Sequence, residues 1–199
     1  MKPTRRVFSL AAALGAAIWL AGCAAMNTVT SEVSTYGSWP AERKPGSYAF
    51  ERLPSQQANV ERQTRLEDAA RGALEKAGFR PAADAARADV LVQIGARVSR
   101  IDASPWDDPL WWRWGAGYWR GPGWRGSGCG LHFNYSVRYD RDVALLIRDR
   151  ASGTPIYEAR ASNDGSTAGD AALLGAMFEA ALKDFPTPAL NPRRVSVGL

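Results

Sequence analysis

Residues Ala88–Ile101, ADVLVQIGARVSRI, decide how the chain is read. Val90, Val92, Ile94, Ala96 and Val98 recur at every second position, with Gln93, Arg97 and Ser99 between them. Successive side chains of a strand point to opposite faces, so this alternation predicts a half-buried strand with one face on a core. Downstream, Leu131–Tyr139 and Val143–Arg148 are strand-like and read as one long or bulged strand. Ala151–Pro155, ASGTP, is a turn, and Ile156–Ala161 is the returning strand. Three consecutive strands joined by turns predict an antiparallel meander. Upstream, Ser47–Leu53, SYAFERL, adds a strand with Tyr48 and Phe50 on one face. A weaker edge strand falls near Val29–Val33.

Two helices flank these strands. Leu66, Ala70, Ala73 and Ala77 recur at helical spacing, predicting a helix over Asn59–Ala77. Lys76 suits its negative end, Gly78 suits a left-handed cap, and Phe79 is placed to fold back on Leu74. Gly72 costs about 1 kcal/mol relative to alanine, so tertiary packing must hold this helix. A second helix is expected over Gly169–Phe185. Thr167 and Asp170 make a capping-box-like pair, Leu174, Phe178, Ala181 and Phe185 form the apolar stripe, and Pro186 stops it. The expected fold is therefore α+β, a two-layer sandwich: an antiparallel meander sheet of four to five strands with two helices on one face.

The N-terminus carries an address. Lys2, Arg5 and Arg6 precede an uncharged apolar run, Val7–Ala21, which is short for a membrane span and suits a signal peptide. The run ends in LAGC, Leu20–Cys23, which resembles the lipobox of bacterial lipoproteins. That resemblance implies cleavage between Gly22 and Cys23 and acylation of the Cys23 thiol and amino group. Several acyl chains, each buried methylene contributing about 0.8 kcal/mol, anchor a domain durably. Ala24 after the cysteine favours the outer membrane over inner-membrane retention, facing the periplasm. Thr4–Phe8, TRRVF, resembles a twin-arginine export signal, but no cofactor motif demands folding before export, so general secretion is the expected route.

These boundaries divide the chain into a signal peptide, 1–22, a lipid-anchored tether, 23–45, an α+β domain, 46–190, and a C-terminal tail, 191–199. The leader holds three cations and no acid, so the net charge of +5 falls to +2 (5 − 3) in the mature chain. Its high pI is partly a property of the leader, and a nucleic-acid partner is not expected. With Cys23 acylated, Cys129 is the remaining thiol in an oxidising compartment. One cysteine and one histidine, His132, do not make a metal site, so neither metal nor cofactor is expected.

The order LEKAGF (Leu74–Phe79), ADVLVQI (Ala88–Ile94), a Gly/Trp-rich gap, a strand, SGTPIYEARAS (Ser152–Ser162) and DFP (Asp184–Pro186) resembles the bacterial lipoproteins of domain-of-unknown-function family 4136. The resemblance spans about residues 47–186. It departs at Tyr157, where the family pattern would carry tryptophan. It implies an envelope lipoprotein with an α+β domain, and it supplies no catalytic residues.

Motifs for chemistry are sparse. No Gly-x-Ser-x-Gly elbow is present. Cys129 and His132 sit three residues apart, on opposite faces if the segment is a strand, and lack an orienting third group. Asp107 and Asp108 are adjacent and diverge. Asp140 and Asp142 flank Arg141 and read as a solvated turn between strands. Gly115-x-Gly117 is followed by Gly121-Pro122, and proline there forbids the helix a dinucleotide fingerprint needs. An enzyme is not expected.

What remains is Pro105–Gly130, PWDDPLWWRWGAGYWRGPGWRGSGCG, which holds six of the eight tryptophans. Long connections in compact domains are commonly functional. Trp106, Trp111, Trp112, Arg113, Trp114, Tyr118, Trp119, Arg120 and Trp124 are the candidate interaction residues. Indoles favour the bilayer interface and arginines reach phosphates from it. The expected role is thus structural or interactive, in contact with lipid or another envelope protein. The alternative is glycan or peptidoglycan binding, with indole faces stacked on sugar rings. No pattern in the sequence sets an oligomeric state.

Overall fold

The computed structural model describes residues 27–102 and 137–199. The strands are β1 (Thr28–Gly37), β2 (Ser47–Phe50), β3 (Arg80–Pro81), β4 (Val90–Asp102), β5 (Val137–Asp149), β6 (Pro155–Gly165) and β7 (Arg193–Gly198). The α-helices are α1 (Pro54–Gln57), α2 (Val60–Lys76) and α3 (Ala171–Ala181), with a 3-10 turn at Ala85–Arg87. Among the described residues one sheet of seven strands runs β3-β2-β4-β5-β6-β1-β7.

This architecture overturns the expected four- to five-stranded antiparallel meander with two helices. The sheet is mixed, because β2 runs parallel to both β3 and β4. The physical reason is α2. Its 17 residues span about 25 Å, returning the chain to the end of the sheet where β2 began, so the next strands repeat the direction of β2. Residues 23–45, read as a tether, contribute β1, which lies between β6 and β7 rather than at an edge. Residues 191–199, read as a tail, contribute β7.

The registers stack the core in rows across the strands. Val92, Ile147 and Tyr157 form one row; Ile94, Leu145, Ala159 and Thr35 the next; Ala96, Val143, Ala161 and Val33 the next. All face the side where α2 and α3 pack, and all but the partly buried Ala96 are buried. Small residues bring the helices close: a Cβ on Gly175 would stand 3.2 Å from the Ala69 carbonyl.

Both long helices are capped by their own sequence. Asn59 Oδ1 accepts the Arg62 N–H at 3.2 Å. At the other end Gly78 takes φ +94°, its N–H reaches the Glu75 carbonyl at 2.9 Å, and the Phe79 N–H reaches the Leu74 carbonyl at 3.0 Å. This is a Schellman closure, with Phe79 and Leu74 both in the core. Asp170 itself caps α3, accepting the Leu173 N–H at 2.9 Å. The helix ends at Ala181, short of the expected Phe185.

Phe185 instead joins an aromatic cluster. Its ring lies 4.7 Å from Trp39, 5.1 Å from Phe79 and 5.1 Å from Tyr157. Burial pushes the Tyr157 phenol up to about 12, with Arg193 pulling the other way. Beside the cluster, Trp39 Nε1 donates to the Arg43 carbonyl at 2.7 Å, and Arg43 pairs with Asp149 at 2.7 Å. Asp149 also accepts the N–H and hydroxyl of Ser152, closing the β5–β6 turn. The two Ser152 bonds and then Arg43 lower its carboxyl to about 2.

Candidate functional site

Gly22, Cys23 and the candidate residues Trp106 to Trp124 lie outside the described residues, as do Cys129 and His132. Their points of attachment are described. Asp102 and Val137 are paired at the far end of the β4–β5 hairpin, so the tryptophan-rich segment leaves and re-enters the sheet there. β1 and β5 both run antiparallel to β6 and so share a direction. Glu32 and Asp142 are level through Ser162. Counting four residues back from each (32 − 28, 142 − 138) brings Thr28 level with Arg138, one row from Asp102–Val137. Two strand spacings separate β1 from β5, about 10 Å. The chain start that follows Cys23 and the root of the tryptophan-rich segment therefore share one end of the sheet.

That end has a distinct surface. Val98, on the helix-side face, and Ile101, on the opposite face, are 40% and 44% exposed although both are large and apolar. Arg138 forms an ion pair with Asp164, which holds the Asp164 carboxyl below its ordinary range. The expected turn at Asp140–Asp142 is absent; all three residues lie inside the continuous strand β5. Alternation sends Asp140 and Asp142 to the face away from the helices and Arg141 inward. Arg141 is only 4% exposed, its Nε has no hydrogen-bond partner among the described residues, and a Cβ on Gly165 would overlap its guanidinium. Sequence reasoning missed this buried cation because the flanking aspartates resemble a turn.

Among the described residues neither α2 nor α3 packs on the sheet face opposite the core, and a shallow groove of about 780 Å³ runs across it. Tyr36 and Leu53 stand at its flanks, with Gln93, Leu146 and Arg160 along it. Gly95 sits on its floor, with no atom within 4 Å of where a Cβ would be. The groove meets a more polar hollow of about 620 Å³ bearing Glu32, Asp140, Asp142, Asp164 and Arg194. Among the described residues no group of three or more His, Cys, Asp or Glu is placed to hold a metal ion. Nor, among them, is any helix long and apolar enough to cross a membrane.

The profile of a family described as Domain of unknown function (DUF4136) matches residues 32–187. No curated protein sequence matches the chain. Among solved structures, the chain is similar to a PDZ domain protein from Parabacteroides distasonis, at 12% identity and a TM-score of 0.50. That match covers 85% of this chain but only 38% of the other, and it concerns the fold alone. A DUF4136 family protein from Bacteroides thetaiotaomicron matches at 18% identity and a TM-score of 0.31, covering 77% of this chain and 92% of that one. The PelC dodecamer from Paraburkholderia phytofirmans matches at 13% identity and a TM-score of 0.40, covering 76% of this chain and 95% of that one.

Proposed function

The chain belongs to the DUF4136 family, and on that premise we propose that it is a lipid-anchored protein of the bacterial cell envelope with a structural or interaction role. Acylated Cys23 holds it at the outer membrane, facing the periplasm, and the tryptophan-rich segment makes the contact with lipid or with a neighbouring envelope protein. The observation that supports this reading is the shared end of the sheet. Thr28, five residues after Cys23 (28 − 23), is level with Arg138, beside the Asp102–Val137 root. An anchor in the bilayer thus brings Trp111, Trp112, Trp114 and Trp119 to the interface without a further search, since tethering replaces a bimolecular encounter by a local one. Exposed Ile101, next to the Asp102–Val137 root, adds apolar area at that end.

The test has two steps. Intact-mass measurement on protein from membranes should give a chain beginning at acylated Cys23, and Cys23→Ser should release it to the soluble fraction. A full-length unmodified chain, or soluble wild-type protein, refutes the anchor. Serine at positions 111, 112, 114 and 119 should leave thermal unfolding unchanged and weaken binding to liposomes or to envelope partners. Unfolding of that variant would make the segment part of the core and refute the contact role. Loss of binding to purified peptidoglycan in the same variant would replace lipid by glycan as the ligand.

A further inference from the structure

The two edges of the sheet are unequal. β3 is two residues long and ends in Pro81, which has no N–H, so this edge is blunted. β7 has six residues with no proline among them, and no described strand lies beyond it. Its open hydrogen-bonding positions follow from one bond. The Leu199 N–H donates to the Asn27 carbonyl at 2.7 Å, and these two residues continue the register of Gly198 and Thr28. Bonded and non-bonded pairs alternate along an antiparallel ladder. Val197, Val195 and Arg193 therefore turn their N–H and C=O groups toward β1, while Gly198, Ser196 and Arg194 turn theirs outward.

We infer that β7 pairs antiparallel with β7 of a second copy of this chain, about a two-fold axis at Ser196. In that register Ser196 faces the partner's Ser196, and Arg194 faces the partner's Gly198 in both directions. It is the one register that engages all three outward residues of both copies, each facing pair exchanging two N–H···O bonds. It also separates the like charges. A two-residue slip toward the strand start sets Gly198 against the partner's Pro192, which cannot donate, and a four-residue slip sets Arg194 against the partner's Arg194, which is unfavourable. Gly198 has no atom within 4 Å of a would-be Cβ, leaving room for the facing arginine. Between the bonded pairs, Val195 lies opposite the partner's Val197 on the core side, extending the apolar layer across the junction.

The pairing does not depend on the lipid anchor, but it is compatible with one. The axis stands normal to the sheet. Three strand spacings and a four-residue offset separate the two Thr28 residues, about 20 Å. Both anchors reach one bilayer when the joined sheet lies along it.

Sedimentation equilibrium of the full mature protein in detergent should give a dimer. Gly198→Arg sets arginine against arginine in the pair and extends into open space in the single chain. It should weaken self-association on the order of tenfold without changing thermal unfolding. Adding Arg194→Glu should restore the dimer, because each position 194 then meets an opposite charge at position 198 of the partner. Ser196→Cys, with Cys129→Ser to remove the other thiol, should form an intermolecular disulfide on mild oxidation, since facing Cα atoms of a bonded pair stand about 5.5 Å apart. A wild-type monomer, a dimer indifferent to Gly198→Arg, a failed charge rescue, or no crosslink would each overturn the pairing.

Discussion

The side-chain amide of Asn191 extends the β1–β7 ladder one step beyond the strand itself. Its Oδ1 accepts the Thr35 N–H at 2.8 Å, and its Nδ2 donates to the Thr35 carbonyl at 2.6 Å. Thr35 and Asn191 continue the register of Val33 and Arg193, with Pro192 between. A side chain thus stands in for the backbone at that step. Thr35 is 1% exposed, so its N–H and C=O find no ready replacement in water. Asn191→Ala should therefore lower stability by about 2 kcal/mol in urea denaturation. Asn191→Asp keeps an acceptor for the N–H but sets an oxygen against the carbonyl. Its deficit should be largest at neutral pH and shrink in acid, as the protonated form recovers a donor. Equal deficits at both pH values would count against the two-bond role.

Asp149 ties the β5–β6 turn to Arg43, and this tie should be visible as a pH dependence. The carboxyl is held at about 2, against an ordinary 3.8, first by the Ser152 N–H and hydroxyl and then by Arg43. A group with a depressed folded pKa stabilises the native state above its unfolded pKa and loses that contribution as pH falls through the folded value. The stability difference between wild type and Asp149→Asn should be at full size above about pH 5. It should decline between about pH 4 and pH 2. Chemical denaturation at a series of pH values measures it; a difference that stays flat across that window would show that the carboxylate charge is irrelevant.

The legible parts of this fold are those where periodicity and chain punctuation act alone. Val90, Val92 and Ile94 recur at every second position and form the inner face of β4. Gly78 and Phe79 mark the end of α2, and both make the expected closing bonds. β1 and β7 are hidden for a different reason. The inward positions of β1 include Ser31 and Thr35, which are fully buried yet polar, so apolar alternation fades there. β7 offers only Val195 and Val197. Their burial comes from α3 and from neighbouring strands far away in the sequence, which no local pattern reports. Parallel pairing is likewise set by what the helical crossover does in space. For the candidate site, the composition of the tryptophan-rich segment is plain in the sequence, whereas its nearness to the chain start needs the registers of β1, β5 and β6.

Trp39, just beyond the end of β1, is a packing centre. Its ring meets Phe185 at 4.7 Å and Phe79 at 5.7 Å, both edge-on, while the Arg43 guanidinium lies 5.5 Å from its centroid. Its Nε1 donates to the Arg43 carbonyl at 2.7 Å, closing the turn that begins at Pro40. Trp39→Phe retains ring packing and loses the N–H, so about 1 kcal/mol should be lost. Trp39→Ala also removes the ring and should cost about 3 kcal/mol. Equal losses for both variants in thermal or chemical unfolding would assign the whole effect to the hydrogen bond.

Arg141 and Gly165 form a matched pair across β5 and the end of β6. The buried guanidinium occupies the space into which a Cβ at Gly165 would project, and a Cβ at Gly169 would stand 3.3 Å from Arg141 Cδ. The arginine thus lies against both glycines, and its guanidinium must shift to admit a Cβ at Gly165. Gly165→Ala should therefore destabilise the fold by about 1–3 kcal/mol through overpacking. Arg141→Ala removes the obstacle together with a buried cation whose Nε is unpaired, so part of its cavity cost is offset by the lifted desolvation penalty. In the Arg141→Ala background the Gly165→Ala substitution should then be close to neutral. The double-mutant cycle should yield a coupling of about 1–3 kcal/mol. Gly165 lies outside the left-handed residues of the chain, so backbone strain does not predict this coupling. If Gly165→Ala costs the same with and without Arg141, the glycine is not there to make room for the arginine.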